Sequence, residues 1–293
     1  MAVSSTTTSK EQGQQEKKVS VDCFHIDMIP GAMRKMGWEV APKLMEHWFE
    51  ISPAYSFDGK SKYDLLNGDA RTLEPQRIND DIVKMDWAMR YEQVASGIIA
   101  LKNTWNSNKA RDVLKRRLIQ LGYSSKKFDT IGMSNDTKLL DATAQVNFIR
   151  IGSKKDTVND WYGAIGNANL KVCVRGVVSY IDGEFIVNVD ALGFYLKDTY
   201  DFLDDDFLGL DIPELLGVWG KSRILNKTET LTYMSSYTQG FFGFLARKFS
   251  GFTPVFNDDF RQWREKHNSG GDFIVFSDVI WVVPLEKDKV IKL

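Results

Sequence analysis

The part of the sequence that decides the fold is a pair of apolar stretches between residues 170 and 189. Residues 170–178 read LKVCVRGVV and residues 184–189 read EFIVNV, and both are rich in the β-branched residues that strands favour. Asp182-Gly183 lies between them and is a dipeptide typical of two-residue hairpin turns. The segment therefore predicts an antiparallel hairpin, and residues 194–196 extend the strand pattern towards a group of acids.

Upstream of this hairpin the sequence has a helical pattern. Apolar residues recur at the three- and four-residue spacing of helices between residues 29 and 105. Asn79 or Asp80 is expected to cap one of these helices. Residues 108–121 predict another helix, which Gly122 ends.

The predicted fold class is α+β, with a helical N-terminal half followed by a mostly antiparallel β-sheet half that carries short helices. Residues 281–283 and 290–291 add short strands that close the sheet. Residues 1–20 are rich in Ser, Thr, Gln, Lys and Glu and are expected to form a disordered tail. Residues 21–130 are then expected to form a helical region and residues 131–293 a mostly antiparallel β region. These two regions are either two domains or parts of one.

Composition excludes several classes of function. The 293 residues carry a formal net charge of −1, so the overall charge, as distinct from a local patch, gives no electrostatic basis for binding nucleic acid or an anionic membrane. No stretch approaches the ~20 apolar residues of a transmembrane helix, and the N-terminus has no apolar signal-peptide core. The chain is therefore expected to be soluble and made in the cytoplasm, without a cleaved signal.

Cys23 and Cys173 are the only cysteines, which excludes a disulfide framework. Cys173 is expected to be an inert buried thiol.

The densest candidate chemistry follows the predicted hairpin. Asp198, Tyr200 and Asp201 lie within four residues, and three further acids occupy positions 204–206. Carboxylates this close repel one another unless a cation, a shared proton or solvent compensates. A straight strand places Asp198 and Tyr200 on one face and Asp201 on the other, whereas a bend brings the two acids together. The bent form predicts Asp198 and Asp201 as ligands of Mg²⁺ with Tyr200 orienting the site, and the alternative is a solvated turn at the strand exit.

A second polar cluster is expected on a short helix at residues 259–267. Arg264 and His267 are three residues apart, so they share a helix face. An arginine can bind a phosphate through two hydrogen bonds, and a histidine can act as a general acid. The pair is therefore a candidate phosphate clamp and proton donor if this helix faces Asp198 and Asp201. The alternative is structural, with Arg264 paired to an acid and His267 at a helix C-terminus that favours cations.

The segment Asp198-x-Tyr200-Asp201 resembles the first half of the colicin M-type toxin signature, Asp-x-Tyr-Asp-x6-His-Arg. The second half departs from that signature, because Leu208 and Gly209 stand where histidine and arginine are expected. The resemblance implies a Mg²⁺-dependent phosphodiesterase or pyrophosphate hydrolase. Such toxins cut lipid II, the lipid-linked cell-wall precursor, between its polyprenyl carrier and its pyrophosphate, and this blocks peptidoglycan synthesis.

Nearly the whole chain also resembles an uncharacterised bacterial family associated with type VI secretion and polymorphic-toxin loci, through residues 29–33, 192–195 and 270–273. This resemblance implies an antibacterial effector that reaches the periplasm of a target cell. Its implied partners are a secretion-system component and a cognate immunity protein. The alternative function is a non-enzymatic adaptor or interaction module of a secretion locus. An enzyme requires a concave pocket that joins Asp198, Asp201 and a basic residue, whereas an adaptor requires an exposed apolar patch.

Overall fold

The computed structural model describes residues 24–153, 156–203 and 214–293. The predictions for the tail at residues 1–20, for Cys23 and for the acids at positions 204–206 lie outside these residues.

Helices and strands alternate along the described chain. The helices are α1 (Ile29–Lys35), α2 (Ala41–Glu50), α3 (Gly59–Asn67), α4 (Met85–Ala88), α5 (Glu92–Thr104), α6 (Asn108–Gln120), α7 (Thr137–Thr143), α8 (Asp160–Ala164), α9 (Lys227–Thr238), α10 (Phe242–Lys248) and α11 (Asn257–His267). The strands are β1 (Ile78–Val83), β2 (Phe128–Ile131), β3 (Gln145–Ile151), β4 (Ala168–Ile181), β5 (Glu184–Tyr200), β6 (Leu215–Trp219), β7 (Thr253–Phe256), β8 (Phe273–Ser277), β9 (Ile280–Val282) and β10 (Val290–Lys292).

The predicted hairpin is confirmed as the pair β4 and β5. The two strands have 14 and 17 residues and pair from Ile181 opposite Glu184 to Asn169 opposite Lys197. Asp182 and Gly183 both have positive φ, at 51° and 87°, which is the conformation of a type I′ turn. Glycine adopts this conformation without strain and aspartate tolerates it, so the turn sequence sets the register of the sheet.

The hairpin forms the centre of an eight-stranded sheet. The outer edge of β4 pairs with β2 and β3, one after the other along its length. The outer edge of β5 pairs with β10, β9 and β8 in the same manner. Strand β1 then pairs with β8 in parallel, and β6 and β7 form a separate two-stranded sheet. Short strands therefore cover both edges of the long hairpin.

The predicted division into a helical N-terminal half and a β half is wrong, although the protein does contain both helices and a large sheet. Strand β1 lies within the segment predicted to be helical, and helices α7 to α11 lie between strands. Asn79 does not cap a helix. Its side-chain Oδ1 instead accepts the N–H of Ile82 at 3.0 Å, where the pairing register of β1 shifts. The predicted cap at Asn79 or Asp80 is wrong, because both residues lie in a strand and this type of side-chain hydrogen bond also occurs at strand irregularities.

Helix α6 confirms the prediction for residues 108–121. Ser107 is its N-cap, and Gly122 follows its C-terminus with φ of 78°. Cys173 is also confirmed as a buried thiol, because it lies inside β4 and burial raises its pKa to about 12. Among the described helices, none combines the length and apolar character needed to cross a bilayer.

Candidate functional site

A cleft with a volume of about 800 Å³ opens at the C-terminal end of β5. Helix α3 borders it on one side, and strand β6 and helix α11 border it on the other. Among the residues that line it are Asp198, Tyr200 and Asp201, the three residues of the predicted acidic site. The strand continues to Tyr200, so Asp198 and Tyr200 lie on one face and Asp201 follows the strand end. Both acids line the cleft, although β5 keeps regular pairing with β8 up to Tyr200 and shows no bend at Thr199 or Tyr200.

Aromatic stacking fixes the chain on both sides of Asp201. The ring of Tyr200 stacks on Phe273 of β8, with ring centroids 5.2 Å apart. The ring of Phe202 stacks on Phe260 of α11, with centroids 3.7 Å apart. Both anchors are buried, so the backbone at Asp201 has little freedom to move.

Two cations accompany the acids. Lys62 of α3 donates to Asp201 Oδ1 at 3.0 Å, and this aspartate side chain is only 4% exposed. Arg150 of β3 also lines the cleft and is exposed. Within the described residues, Arg150 forms no ion pair and no side-chain hydrogen bond. The cleft therefore contains one cation that is committed to an acid and one that is available to a ligand.

Asp198 has a strongly perturbed acidity. Burial raises its pKa to about 8, and the neighbouring Asp201 charge adds to the rise. The backbone N–H of Thr199, Lys62 and Arg150 oppose this shift without cancelling it. Part of the Asp198 side chain remains open to the cleft. Near neutral pH this group holds a proton that a ligand in the cleft can receive.

The acid pair also fits a Mg²⁺ ion. Protein sites for Mg²⁺ use one or two carboxylates and complete the coordination with water and substrate phosphates. Asp198 and Asp201 match that pattern, although Lys62 already occupies one oxygen of Asp201. Across residues 24–153, 156–203 and 214–293 no group of three or more His, Cys, Asp or Glu side chains is placed to hold a metal. A metal here would therefore depend on oxygens from the substrate.

Arg264 and His267 do not join this cleft. The Arg264 guanidinium lies 3.4 Å from the carboxylate of Asp272, which is fully buried. The His267 ring stacks on Trp263 of the same helix, with centroids 4.4 Å apart. The predicted pairing of both residues with the acids is therefore not present, and Lys62 and Arg150 occupy the corresponding place. No local pattern in the sequence marks either cation, because α3 and β3 are distant from residue 198 along the chain.

The rest of the cleft wall has a polar part, which includes Asn167, Asn169, Glu214 and Asn257, and an apolar part. Side chains from α1, α2 and β6, and from the segments between these elements, contribute to the apolar part. They are Ile29, Met33, Trp38, Met45, Leu215, Leu216 and Trp219. The cleft thus combines a charged end with a wall that is apolar in part, which is the arrangement that an amphiphilic ligand needs.

The opposite face of β5 carries a second charged cluster, which is buried. The carboxylate of Asp141 accepts hydrogen bonds from Lys171 at 2.8 Å, from Lys197 at 2.8 Å and from the hydroxyl of Tyr195 at 2.6 Å. Burial by itself would raise the pKa of Asp141, but the two ammonium groups outweigh it and lower the pKa below its ordinary value. A lysine inside each apolar strand is the sequence signal that could have revealed this cluster.

Comparisons with curated proteins and with solved structures give no significant match. One family model matches nearly the whole described chain, from residue 24 to residue 293. The chain therefore belongs to the family of unknown function DUF6402.

Proposed function

We propose that the chain is an antibacterial effector that hydrolyses a lipid-linked pyrophosphate of the lipid II type. The observation that carries this proposal is the composition of the cleft, where Asp198, Asp201, Lys62 and Arg150 lie beside a wall that is apolar in part. Cations bind phosphate oxygens, and an apolar wall can hold part of a polyprenyl chain. A phosphorylated amphiphile matches both parts of the cleft, whereas a wholly polar substrate matches one.

In the proposed reaction, water attacks the phosphorus atom next to the polyprenyl oxygen. The bond between phosphorus and that oxygen breaks, which releases polyprenol and the pyrophosphate-linked sugar. Asp201 takes a proton from the attacking water, and Asp198 gives its proton to the departing polyprenyl oxygen. Arg150 binds the phosphate oxygens and stabilises the charge that develops on them, while Lys62 stays paired with Asp201. Tyr200 keeps its proton, because burial raises its pKa, and it supports Asp201 through its stacked ring.

Mg²⁺ would be held by Asp198, Asp201 and the substrate phosphates, and when bound it would supply positive charge that neutralises the phosphate oxygens. Asp198 would then act as a carboxylate and not as a proton donor. The two roles differ in their pH dependence. A proton donor loses activity as the pH rises through the pKa of Asp198, whereas a metal ligand loses activity as the pH falls and the carboxylate takes up its proton.

The test is to express the full chain in a Gram-negative host, either in the cytoplasm or directed to the periplasm. We expect lysis from the periplasm alone, with accumulation of free polyprenol. The variant Asp201→Asn is expected to abolish toxicity while leaving the protein folded. The matched control is Asp81→Asn, since Asp81 also pairs with a lysine but its side chain is 92% exposed. Full toxicity of Asp201→Asn would remove the acid pair from the mechanism.

One observation favours the alternative function of a non-enzymatic interaction module. The helical hairpin of α9 and α10 exposes several aromatic rings, which a protein partner could cover. The two functions differ in the same experiment. Absence of killing from either compartment, by the unchanged chain and by Asp201→Asn alike, would favour the interaction module.

A further inference from the structure

The α9–α10 hairpin carries an exposed aromatic surface. The hairpin is inserted between β6 and β7, and its outer side includes Tyr237, Phe241, Phe242 and Phe244. These four side chains, here called the aromatic tip, are 42%, 56%, 61% and 36% exposed. Single exposed apolar residues are common on proteins, but four aromatic residues within eight positions are not.

The aromatic tip is held in place by its own small core. Val218, Leu225, Tyr233, Leu245 and Phe249 form an apolar cluster that is separate from the main core. The ring of Tyr237 lies 6.0 Å from that of Phe242 and 6.3 Å from that of Tyr233, so the tip connects to this cluster. The hairpin therefore has a folded base, and its outer rings are left uncovered by the described part of the chain.

From residue 230 to residue 257 the only charged residues are Arg247 and Lys248, and the acid that precedes this stretch, Glu229, interacts electrostatically with Lys248. No aspartate or glutamate occurs between Glu229 and Asp258, although the chain as a whole has slightly more acids than bases. Arg247 and Lys248 follow the tip directly and are exposed, and the Lys248 ammonium lies 5.4 Å from the Phe244 ring. Neither cation forms an ion pair within residues 24–153, 156–203 and 214–293.

We propose that the aromatic tip inserts into the interfacial region of a bilayer containing anionic lipids, with Arg247 and Lys248 bound to the headgroups. Phenylalanine and tyrosine rings partition into this region, and neighbouring cations are attracted to anionic headgroups. Arg247 and Lys248 give this end of the hairpin a positive charge, which complements an anionic surface.

The position of the hairpin links this surface to the cleft. Leu215, Leu216 and Trp219 of β6 line the cleft, and the hairpin begins shortly after this strand. The membrane surface goes beyond the proposed function, because binding to lipid does not require hydrolysis.

The experiment measures sedimentation of the full chain with phosphatidylcholine vesicles, prepared with or without phosphatidylglycerol. We expect binding to the vesicles that contain phosphatidylglycerol, and weaker binding as salt is added. The double variant Phe241→Ser/Phe242→Ser is expected to lower the partition coefficient by about tenfold or more. Arg247→Ser/Lys248→Ser is expected to remove the preference for phosphatidylglycerol.

Matched controls are Phe128→Ser and Phe148→Ser, which remove exposed aromatic rings from β2 and β3. We expect both to bind like the unchanged chain, with melting temperatures measured for every variant. Absence of vesicle binding by the unchanged chain would overturn the proposal, as would equal binding by the aromatic double variant. Self-association that this double variant abolishes, without vesicle binding, would assign the tip to a second copy and also overturn it.

Asp198→Asn separates this proposal from the proposed hydrolysis. Asp198 lies in the cleft and not on the hairpin, so this variant is expected to bind vesicles like the unchanged chain. If the unchanged chain and its variants bind vesicles but none of them is toxic, the proposed membrane surface is supported and the proposed reaction is contradicted.

Discussion

Two neighbouring residues of β5, Lys197 and Asp198, point to opposite faces of the sheet and meet opposite environments. Lys197 is fully buried, and its ammonium donates to Asp141 Oδ2 at 2.8 Å and to the carbonyl of Gly68 at 3.0 Å. Asp198 opens to the cleft, and burial raises its pKa to about 8. On the face that carries Lys197, the charged groups pair with one another within the fold. On the face that carries Asp198, the carboxyl group needs a bound proton, a cation or a ligand to compensate its charge.

This difference separates a structural ionic cluster from a candidate functional site. The cluster at Asp141 has hydrogen bonds that hold the carboxylate in its charged form, so its pKa is lowered. The raised pKa of Asp198 means that the fold disfavours its charged form. Perturbed acids in clefts are typical of sites that bind or react, whereas satisfied buried pairs are typical of the core.

The largest expected effect on stability is for a substitution in the buried cluster around Asp141. Asp141→Ala leaves the ammonium groups of Lys171 and Lys197 buried without their shared acid. We expect the free energy of unfolding to fall by roughly 3–5 kcal/mol, as when one partner of a buried ion pair is removed. Denaturation by urea measures this change.

The control for that variant is Asp190→Ala, since Asp190 pairs with Arg175 and its side chain is 52% exposed. An exposed pair contributes about 0–1 kcal/mol, so little change is expected. Equal losses in the two variants would show that Asp141 is no more important for stability than a surface acid.

A substitution on the cleft face, at Asp198, is expected to have a smaller effect on the free energy of unfolding, and to raise it. The folded carboxyl of Asp198 keeps its proton up to a pH of about 8, whereas in the unfolded chain it loses the proton near its ordinary pKa of 3.8. Between these values the unfolded state binds fewer protons, so the free energy of unfolding falls as the pH rises. Asparagine does not titrate and removes this loss.

Asp198→Asn is therefore expected to stabilise the protein by roughly 2 kcal/mol above pH ~8 and by almost nothing near pH ~4, after discounting the full shift for the part of the side chain open to solvent. Thermal or urea unfolding at the two pH values measures the difference. The same change at both values would mean that Asp198 is already ionised at neutral pH.

The smallest effects are expected away from both faces of β5. Arg264→Met removes a partner of Asp272, which retains hydrogen bonds from Trp48 Nε1 and the Phe57 N–H at 2.9 Å each. We expect a loss of about 1 kcal/mol in the free energy of unfolding for Arg264→Met and less than ~0.5 kcal/mol for His267→Ala. Toxicity is expected to be unchanged in both variants. Its loss in a folded His267→Ala variant would return this histidine to the site.

The candidate site shows which of its residues local sequence patterns can predict and which they cannot. The short spacing of Asp198, Tyr200 and Asp201 was enough to predict that these residues form one cluster next to a strand end. The residues that complete the cleft lie far away in sequence, and Lys62 and Asp201 are separated by 139 positions. The helix spacing of Arg264 and His267 was correct, but the helix faces Asp272 and not the acids. A shared helix face identifies neighbours on that helix and says nothing about what the helix packs against.

The sequence by itself determined the elements whose causes lie within a few residues. The hairpin follows from β-branched strands and the Asp182-Gly183 turn, and α6 follows from its apolar spacing and Gly122. Tertiary structure alone decided that β1 pairs with β8 and that Lys62 and Arg150 meet Asp198 and Asp201. Such contacts depend on the packing of the whole chain. Strand pairing and charge burial join segments that are distant in sequence, and the local pattern of one segment does not indicate which other segment it will contact.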